Sequence, residues 1–293
     1  MCSIFFTPTQ TKYILYEKMS EVHTAFVTLT DRGYFHKACQ TIRDLRTYGQ
    51  WNGTIVLLVV DFMPTLEELE GFGTNCMIIP VEHIDHKALW EIWKQHPIRH
   101  QFDNSQYKKF YQWDKFYVFH PMFKTWDRIV FLDAGSRVCR PVLPLLQLNY
   151  KGKFIAPDDS DPYDNGNRLA VQFDLETNPA ATKHLLDTFG EGCLREHYCL
   201  DCFFMFDTAL IEDMKTFEIL KQWMIEFPIS CRNDMGIINL YFHIYKQVWY
   251  PLPQTLPDGS GYYFGWNESN YHERPSATKF IVMKYPNHGP PVL

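Results

Sequence analysis

Runs of apolar residues that alternate with helix-like segments constrain the fold of this 293-residue chain more than any other feature. Each run is almost continuously apolar and has the length of a strand rather than that of a helix. A strand without polar alternation is covered on both faces, which is typical of a parallel sheet with helices on either side. The four predicted strands are Thr24–Thr30, Thr54–Val60, Cys76–Val81 and Arg128–Asp133.

The segments between these strands carry helix patterns. Residues 63–69, followed by Gly71 and Gly73, predict a short helix, and longer helices are expected around Trp90 and over residues 107–123. One amphipathic face is especially clear after the first strand, where the apolar positions are Phe35, Ala38, Cys39, Ile42 and Leu45. The pattern predicts an α/β fold with a mostly parallel central sheet flanked by helices.

Charge and hydropathy exclude several classes of partner. The chain carries 28 Lys and Arg against 34 Asp and Glu, a net charge of −6, and it has no basic block. Nucleic acid is therefore not expected as a partner, because binding phosphates needs a basic surface. No apolar run approaches the roughly 18 residues of a membrane span, and the first residues lack the pattern of a secretory signal. We expect a cytoplasmic protein without a membrane span, whose scattered cysteines are reduced.

Several nucleotide and hydrolase motifs are absent from the sequence. There is no Gly-x-Gly-x-x-Gly after the first strand, no P-loop and no Gly-x-Ser-x-Gly. Polar residues instead follow two predicted strands, Thr30-Asp31 after the first and Asp133 at the end of the fourth. Ligands of open α/β sheets gather at the carboxyl ends of strands, so these positions predict the binding site.

The segments Ala25–Thr30 and Ile129–Gly135 resemble the GT-A nucleotide-sugar glycosyltransferases, and are most similar to glycogenin-like and galactinol-synthase-like members of family 8. The last supporting segment resembles the family's Asp-Gln-Gly-x-x-Asn signature, with Met235 in place of Gln. The supporting residues follow in order as Lys115, Ile155–Asp158, Asp201–Phe206 and Asn233–Asn239. The resemblance implies a single GT-A domain over residues 1–293. Its nucleotide-binding half would span about 22–150 and its donor-sugar and acceptor half about 151–293.

The metal motif of these enzymes, Asp-x-Asp, is incomplete in this chain. It reads Asp133-Ala134-Gly135, so the second carboxylate is missing. The resemblance implies Mn²⁺ or Mg²⁺, weakly bound by Asp133 and by His288, which stands a few residues late for the family's histidine. Such an ion neutralises the charge of the departing diphosphate. Residues 159–161, Asp-Ser-Asp, are an alternative metal motif.

Three interpretations of the incomplete motif stay open. The metal site is weakened, or the enzyme is metal-independent and uses Lys115 and Lys284 on the phosphates, or the fold has no catalytic activity. In the active cases the resemblance implies a nucleotide-sugar donor, a UDP-sugar, bound at the ends of the first and fourth strands. The predicted donor-binding residues are Thr28, Leu29, Thr30, Asp31, Tyr34, Lys115, Asp133, Ala134, Gly135 and Lys284.

The resemblance assigns the chemistry to Asp201 and Asp234, which would orient donor hydroxyls or stabilise oxocarbenium-like charge. It implies transfer of a hexose, with retention of configuration, to a hydroxyl of a glycan, a protein or a small molecule. Asp234 is equally compatible with a helix cap, and Trp266 is a candidate acceptor contact. One alternative is a binding protein that lacks catalysis. Another is a sugar-1-phosphate nucleotidyltransferase, which needs a Gly-rich, basic loop after the first strand, where this chain has only Asp31–Gly33. The sequence leaves open whether the chain forms a homodimer.

Overall fold

A computed structural model describes residues 22–98, 110–160, 164–266 and 276–284. The strands of these residues are β1 Thr24–Thr30, β2 Thr54–Val60, β3 Cys76–Val81, β4 Arg128–Leu132, β5 Ser136–Val138, β6 Phe154–Ala156, β7 Phe203–Asp207, β8 Trp249–Pro251, β9 Tyr262–Trp266 and β10 Phe280–Lys284. The α-helices are α1 Phe35–Thr47, α2 Lys87–Gln95, α3 Leu143–Leu146, α4 Pro179–Phe189, α5 Asp213–Glu226 and α6 Asp234–Asn239. Short 3₁₀ helices include Phe110–Phe119 and Pro121–Thr125, and a π-helical turn, Leu240–Tyr245, continues α6.

Seven strands form the central sheet, in the order β3-β2-β1-β4-β7-β6-β8. The pairs β1–β2, β2–β3, β1–β4 and β6–β8 are parallel, and β7 runs antiparallel to β4 and β6. Every residue of β4 and β7 is buried. The predicted α/β class and the mostly parallel sheet flanked by helices are confirmed, because continuous apolar strands require cover on both faces.

The reversed direction of β7 brings two distant parts of the chain together. Leu132, the last residue of β4, pairs with Phe203, the first residue of β7. The backbone N–H of Asp133 donates to the carbonyl oxygen of Cys202 at 2.9 Å. Residues that follow β4 and residues that precede β7 therefore share one edge of the sheet.

A second sheet of three strands, in the order β5-β10-β9, lies beside this edge. Strand β10 pairs antiparallel with β5, which sets Lys284 opposite Ser136. Thr41 of α1 ties the same turn down, since its Oγ1 donates to the carbonyl of Ser136 at 2.8 Å and accepts from the N–H of Gly135 at 3.1 Å. Sequence analysis missed β5, β8 and β9, which are three to five residues long and have no clear apolar alternation.

One local prediction is wrong, and a second is confirmed only in part. Residues 63–65 are irregular and residues 66–69 form turns rather than a helix. Met63 and Leu66 are 62% and 89% exposed, so the segment lacks the continuous buried face that stabilises a helix. The predicted helix over 107–123 consists, where it is described, of two 3₁₀ helices that are separated at His120, just before Pro121. The strong helix signal after β1 is confirmed, because all five apolar positions of α1 are buried.

No helix in the described part of the chain is both long enough and apolar enough to span a bilayer. The seven cysteines that the structure describes are unpaired. Burial raises the pKa of Cys199 and of Cys202 well above the ordinary thiol value. These two thiols stay protonated, and protonated thiols are poor metal ligands and poor nucleophiles.

Candidate functional site

Three carboxylates converge on one buried ammonium group at the shared edge of β4 and β7. Lys115 Nζ lies 2.6 Å from Asp234 Oδ2, 3.0 Å from Asp201 Oδ2 and 3.4 Å from Asp133 Oδ1. It also donates to the backbone carbonyl of Asp201 at 3.2 Å. The side chains of Lys115, Asp201 and Asp234 are 6%, 4% and 2% exposed, and that of Asp133 is 28% exposed. We call these four residues the carboxylate–lysine cluster.

Each member of the cluster comes from a different part of the fold. Lys115 lies on the 3₁₀ helix Phe110–Phe119, Asp133 directly follows β4 and Asp201 precedes β7. Asp234 is the first residue of α6. Its carboxylate pairs with Lys115 rather than with the free N–H groups of its own helix. Ion pairing therefore accounts for Asp234 better than the alternative of a helix cap.

Two further positions of the segment Asn233–Asn239, Gly236 and Asn239, have structural roles. Asn239 Oδ1 accepts from the N–H of Cys199 at 2.8 Å, and Asn239 Nδ2 donates to the carbonyl of Cys199 at 3.0 Å. These two hydrogen bonds fix the backbone that leads to Asp201. Gly236 allows the close approach of the neighbouring loop, since a Cβ there would lie 2.5 Å from Ser230 Oγ. The motif thus holds Asp201 and Asp234 on the same ammonium group.

The charges of the cluster shift one another's protonation. Burial lowers the pKa of Lys115, but the three surrounding carboxylates outweigh burial and hold this pKa well above its ordinary value. Burial and the charge of Asp201 raise the pKa of Asp234 well above the ordinary carboxyl value. Burial alone would raise the pKa of Asp133, but the charges of Lys115 and Lys284 outweigh burial, so this pKa lies below its ordinary value. Of these two carboxylates, Asp133 is therefore the one that stays ionised and Asp234 the one that takes up a proton more readily.

The second oxygen of Asp133 has a lysine partner of its own. Lys284 Nζ lies 3.3 Å from Asp133 Oδ2 and donates to the carbonyl of Ala134 at 3.2 Å. The side chain of Lys284 is 15% exposed, so its ammonium group lies close to the surface. Of the predicted donor-binding residues, Lys115, Asp133, Ala134 and Lys284 are thus brought together, next to Gly135.

The residues described at this edge do not fit a divalent metal ion. Within the described ranges no group of three or more His, Cys, Asp or Glu side chains has the geometry to hold a metal. Mn²⁺ and Mg²⁺ need several free oxygen ligands, whereas both oxygens of Asp133 face ammonium groups. His288, the other predicted ligand, and Asp161 of the alternative motif lie outside the described residues. Asp159 Oδ2 of that motif accepts from Tyr198 Oη at 2.6 Å and from Asn167 Nδ2 at 3.0 Å.

Known structures match the chain over most of its length. The galactosyltransferase LgtC, in complex with donor and acceptor sugar analogs, is 13% identical at a TM-score of 0.55, over 90% of this chain and 87% of LgtC. An active-site mutant of LgtC is 13% identical at a TM-score of 0.56, over 90% and 88%. The apo bifunctional glycosyltransferase WbbM is 14% identical at a TM-score of 0.56, over 92% of this chain and 47% of WbbM. No protein-family model and no curated protein matches the sequence.

The chain has the GT-A fold. At 13–14% identity these structures establish the fold alone, and the family 8 assignment stays a prediction. The carboxylate–lysine cluster lies at the carboxyl end of β4, the edge where ligands of an open α/β sheet bind.

The predicted nucleotide end of this GT-A fold lies after β1. Thr28 and Thr30 are 1% and 2% exposed, so their side chains belong to the packed sheet, which agrees with the alternative that they are strand formers. Asp31 Oδ1 accepts from the N–H of Tyr34 at 2.7 Å and so shapes the turn into α1. The ring of Tyr34 is 48% exposed, and the ammonium group of Lys37 lies 4.5 Å from its centroid. Leu29 is half-buried between the two threonines.

Sequence analysis missed a second polar group on this side of the GT-A fold. His83 Nδ1 lies 2.7 Å from Asp114 Oδ2, and the N–H of Ile84 donates to Asp114 Oδ1 at 2.8 Å. The ring of His83 also contacts that of Tyr111, with centroids 4.9 Å apart. The hydrogen bond to Asp114 raises the pKa of His83. Because Asp114 pairs with His83, it does not pair with its neighbour Lys115, which pairs with the cluster. No local sequence signal shows that these two adjacent charged residues have different partners.

A small pocket opens beside the cluster, with aromatic, apolar and polar walls. Leu200 in its wall directly precedes Asp201, and Trp266 is the register partner of Lys284 in the second sheet. Its lining consists of Pro157, Asp158, Leu200, Leu252, Pro253, Gln254, Phe264 and Trp266. An aromatic ring next to a carboxylate and an amide can contact a sugar, which presents apolar C–H faces and hydroxyl edges. The cavity itself, about 20 Å³, has room for only one or two water molecules, so a sugar would lie across its mouth.

Proposed function

We propose that this chain transfers a hexose from a nucleoside-diphosphate sugar, a UDP-sugar, to a hydroxyl acceptor. The observation that carries the proposal is the carboxylate–lysine cluster at the carboxyl end of β4 in a GT-A fold. A buried ammonium that faces three carboxylates is costly to assemble for stability alone. Perturbed, buried ionisable groups at the ligand-binding edge of a sheet favour a catalytic role.

The transfer breaks the bond between the anomeric carbon and the β-phosphate oxygen and forms a bond from that carbon to the acceptor oxygen. The acceptor proton passes to the departing phosphate oxygen, so the products are the glycosylated acceptor and a nucleoside diphosphate. We assign Asp201 and Asp234 to the sugar, where they orient hydroxyls and stabilise the positive charge that develops at the anomeric carbon. We further propose that the configuration at this carbon is retained.

The donor's two ends have different partners in this proposal. The base and ribose lie against the turn 30–34, where the exposed ring of Tyr34 offers a stacking surface. The diphosphate lies against Asp133-Ala134-Gly135, since Asp133 is the most exposed member of the cluster. The acceptor lies across the mouth of the small pocket, with Trp266 under its apolar face.

A panel of UDP-, GDP- and ADP-sugars tests this function in two steps. A sugar nucleotide that binds only the native state raises the unfolding midpoint, and the rise grows with the logarithm of its concentration relative to its Kd. Turnover is then measured as release of the nucleoside diphosphate, for the wild type and for Asp201→Asn. We expect the variant to lose about 10² to 10³-fold in turnover, as typical for removal of one charge-stabilising group. Asp187→Asn, an exposed change on α4, is the control and should match the wild type.

A binding protein without catalysis is the second candidate. The observation in its favour is Gly135 in place of the second carboxylate, together with Met235 in place of the glutamine of the resembled signature. It predicts a thermal shift with one nucleotide sugar and no release of nucleoside diphosphate with any acceptor offered. Release that depends on Asp201 excludes this candidate.

A further inference from the structure

The carboxylate of Asp133, at the start of the turn 133–135, lies between two lysines. Lys115 Nζ faces Asp133 Oδ1 at 3.4 Å, and Lys284 Nζ faces Asp133 Oδ2 at 3.3 Å. Lys37, an exposed residue of α1, packs its aliphatic stem against the same turn. Both oxygens of the Asp133 carboxylate are therefore paired with ammonium groups, whereas a divalent ion needs free oxygen ligands.

Position 135 is shaped for glycine and against a second carboxylate. Gly135 has a φ of +89°, a backbone conformation that residues other than glycine rarely adopt. A Cβ at this position would lie 3.3 Å from Lys37 Cδ and 3.6 Å from Lys37 Cβ, so Lys37 would have to move. The backbone conformation and the packing of Lys37 at position 135 therefore both disfavour the carboxylate that the Asp-x-Asp motif has there.

The two lysines that flank Asp133 differ in how many donors they have left. An ammonium group has three N–H donors. Lys115 Nζ faces four acceptors, the carboxylates of Asp133, Asp201 and Asp234 and the carbonyl of Asp201, so it has no donor left for a ligand, and its side chain is 6% exposed. Among the described residues, Lys284 Nζ faces two acceptors, Asp133 Oδ2 and the carbonyl of Ala134. One N–H of Lys284 therefore remains for a ligand at the surface.

We propose that this turn binds the donor's diphosphate without a divalent ion, with the ammonium group of Lys284 as the direct phosphate contact and Lys115 as the internal cation of the carboxylates. This inference rests on the proposed function, because it names what neutralises the leaving diphosphate. A positioned ammonium supplies the charge stabilisation that a metal supplies in metal-dependent transfer. Lys115 acts through the carboxylates and is a positioning residue, whereas Lys284 touches the substrate.

Calorimetric titration of UDP into the metal-stripped protein tests the proposal. Titrations are run in EDTA and again in Mn²⁺, with uridine as the probe that lacks phosphate, and GDP, ADP and CDP as the alternative bases. The variants are Lys284→Gln, which removes the charge, and Lys284→Arg, which keeps it. Lys279→Gln, an exposed lysine just before β10, is the matched control. Turnover of the corresponding sugar nucleotide is measured in the same two buffers.

We expect UDP to bind equally well in EDTA and in Mn²⁺. Lys284→Gln should weaken UDP about tenfold or more, as loss of a charge-assisted hydrogen bond does, while uridine binding stays unchanged. Lys284→Arg should recover most of the affinity, and Lys279→Gln should match the wild type. UDP binding or turnover that requires Mn²⁺ overturns this inference and leaves the proposed glycosyl transfer standing. Unchanged UDP affinity in Lys284→Gln also overturns it. Absence of binding by all four diphosphates in both buffers overturns the proposed function and this inference together.

Discussion

Lys115 Nζ lies 2.6 Å from Asp234 Oδ2, and the side chains of both residues are almost completely buried, at 6% and 2% exposure. The pair joins the 3₁₀ helix that precedes β4 to the first turn of α6. Removing two charges from water costs several kcal/mol for each, and pairing repays this only when the geometry is good. The pair therefore ties the integrity of the fold to the chemistry of the site.

Replacing Lys115 with methionine should strongly destabilise the fold. The variant leaves the carboxylates of Asp201 and Asp234 buried without their cation, and we expect a loss of about 3 to 5 kcal/mol in the free energy of unfolding. Urea denaturation measures this loss. Lys183→Met, which breaks the exposed pair with Asp187 on α4, should cost about 0.5 kcal/mol or less. Equal losses in the two variants would show that the buried pair contributes no more to the free energy of unfolding than an exposed pair does.

The central sheet was predictable because its strands are covered on both faces. Burial requires apolar side chains at nearly every position of β1, β2 and β4, and this leaves a direct signal in the sequence. The second sheet left no such signal, since β5 is a three-residue strand with arginine at its centre. The helix that was wrongly predicted at 63–69 shows the converse, because its apolar residues Met63 and Leu66 are 62% and 89% exposed and a helix there would bury little.

Asn239 should prove essential for stability although it contacts no predicted ligand. Its side chain satisfies both backbone groups of Cys199. Asn239→Ala leaves these two buried groups without partners, at about 1 to 3 kcal/mol for each. Chemical denaturation of the variant measures the effect, with Asn149→Ala on the exposed loop before β6 as the control. A loss no larger than that of the control would contradict the role of Asn239 in holding the segment before Asp201.

His83 should make stability depend on pH. The hydrogen bond to Asp114 raises the pKa of His83 above its unfolded value, which is about 6.5. The stabilisation is therefore fully present below this unfolded value and is lost as pH rises through the folded pKa. His83→Gln should destabilise by about 1 to 2 kcal/mol at pH 6 and by less at pH 9. Unfolding free energies at both pH values test this, with the exposed His36→Gln as control. A cost that is larger at pH 9 would contradict the assignment.

Trp266 should affect the acceptor and leave the donor untouched. In the proposed function its ring lies under the acceptor sugar, so Trp266→Ala removes a stacking surface. Once an acceptor is identified from the turnover panel, we expect its KM to rise about tenfold, which corresponds to roughly 1.4 kcal/mol, with the donor KM unchanged. Tyr250→Ala, an exposed aromatic on β8, is the control. A rise in the donor KM alone would place Trp266 on the nucleotide side instead.

The candidate site was predictable in its members but not in its pairing. Asp133, Asp201 and Asp234 were identifiable because they follow a buried strand or match the resembled motifs. That Lys115 would sit among all three carboxylates depends on the reversed direction of β7 and on the Asn239 contact, which no local pattern encodes. Asp114 and Lys115 are adjacent and both buried, yet one pairs with His83 and the other with the cluster.

Release of nucleoside diphosphate from a panel of UDP-, GDP- and ADP-sugars, by the wild type and by Asp201→Asn, tests the central claim most directly. The account predicts that the wild type turns over one of these donors in the presence of a hydroxyl acceptor. It also predicts that Asp201→Asn retains the fold and loses about 10² to 10³-fold in rate. Turnover by the folded variant at the wild-type rate, or no turnover of any donor by the wild type, would contradict glycosyl transfer at the carboxylate–lysine cluster.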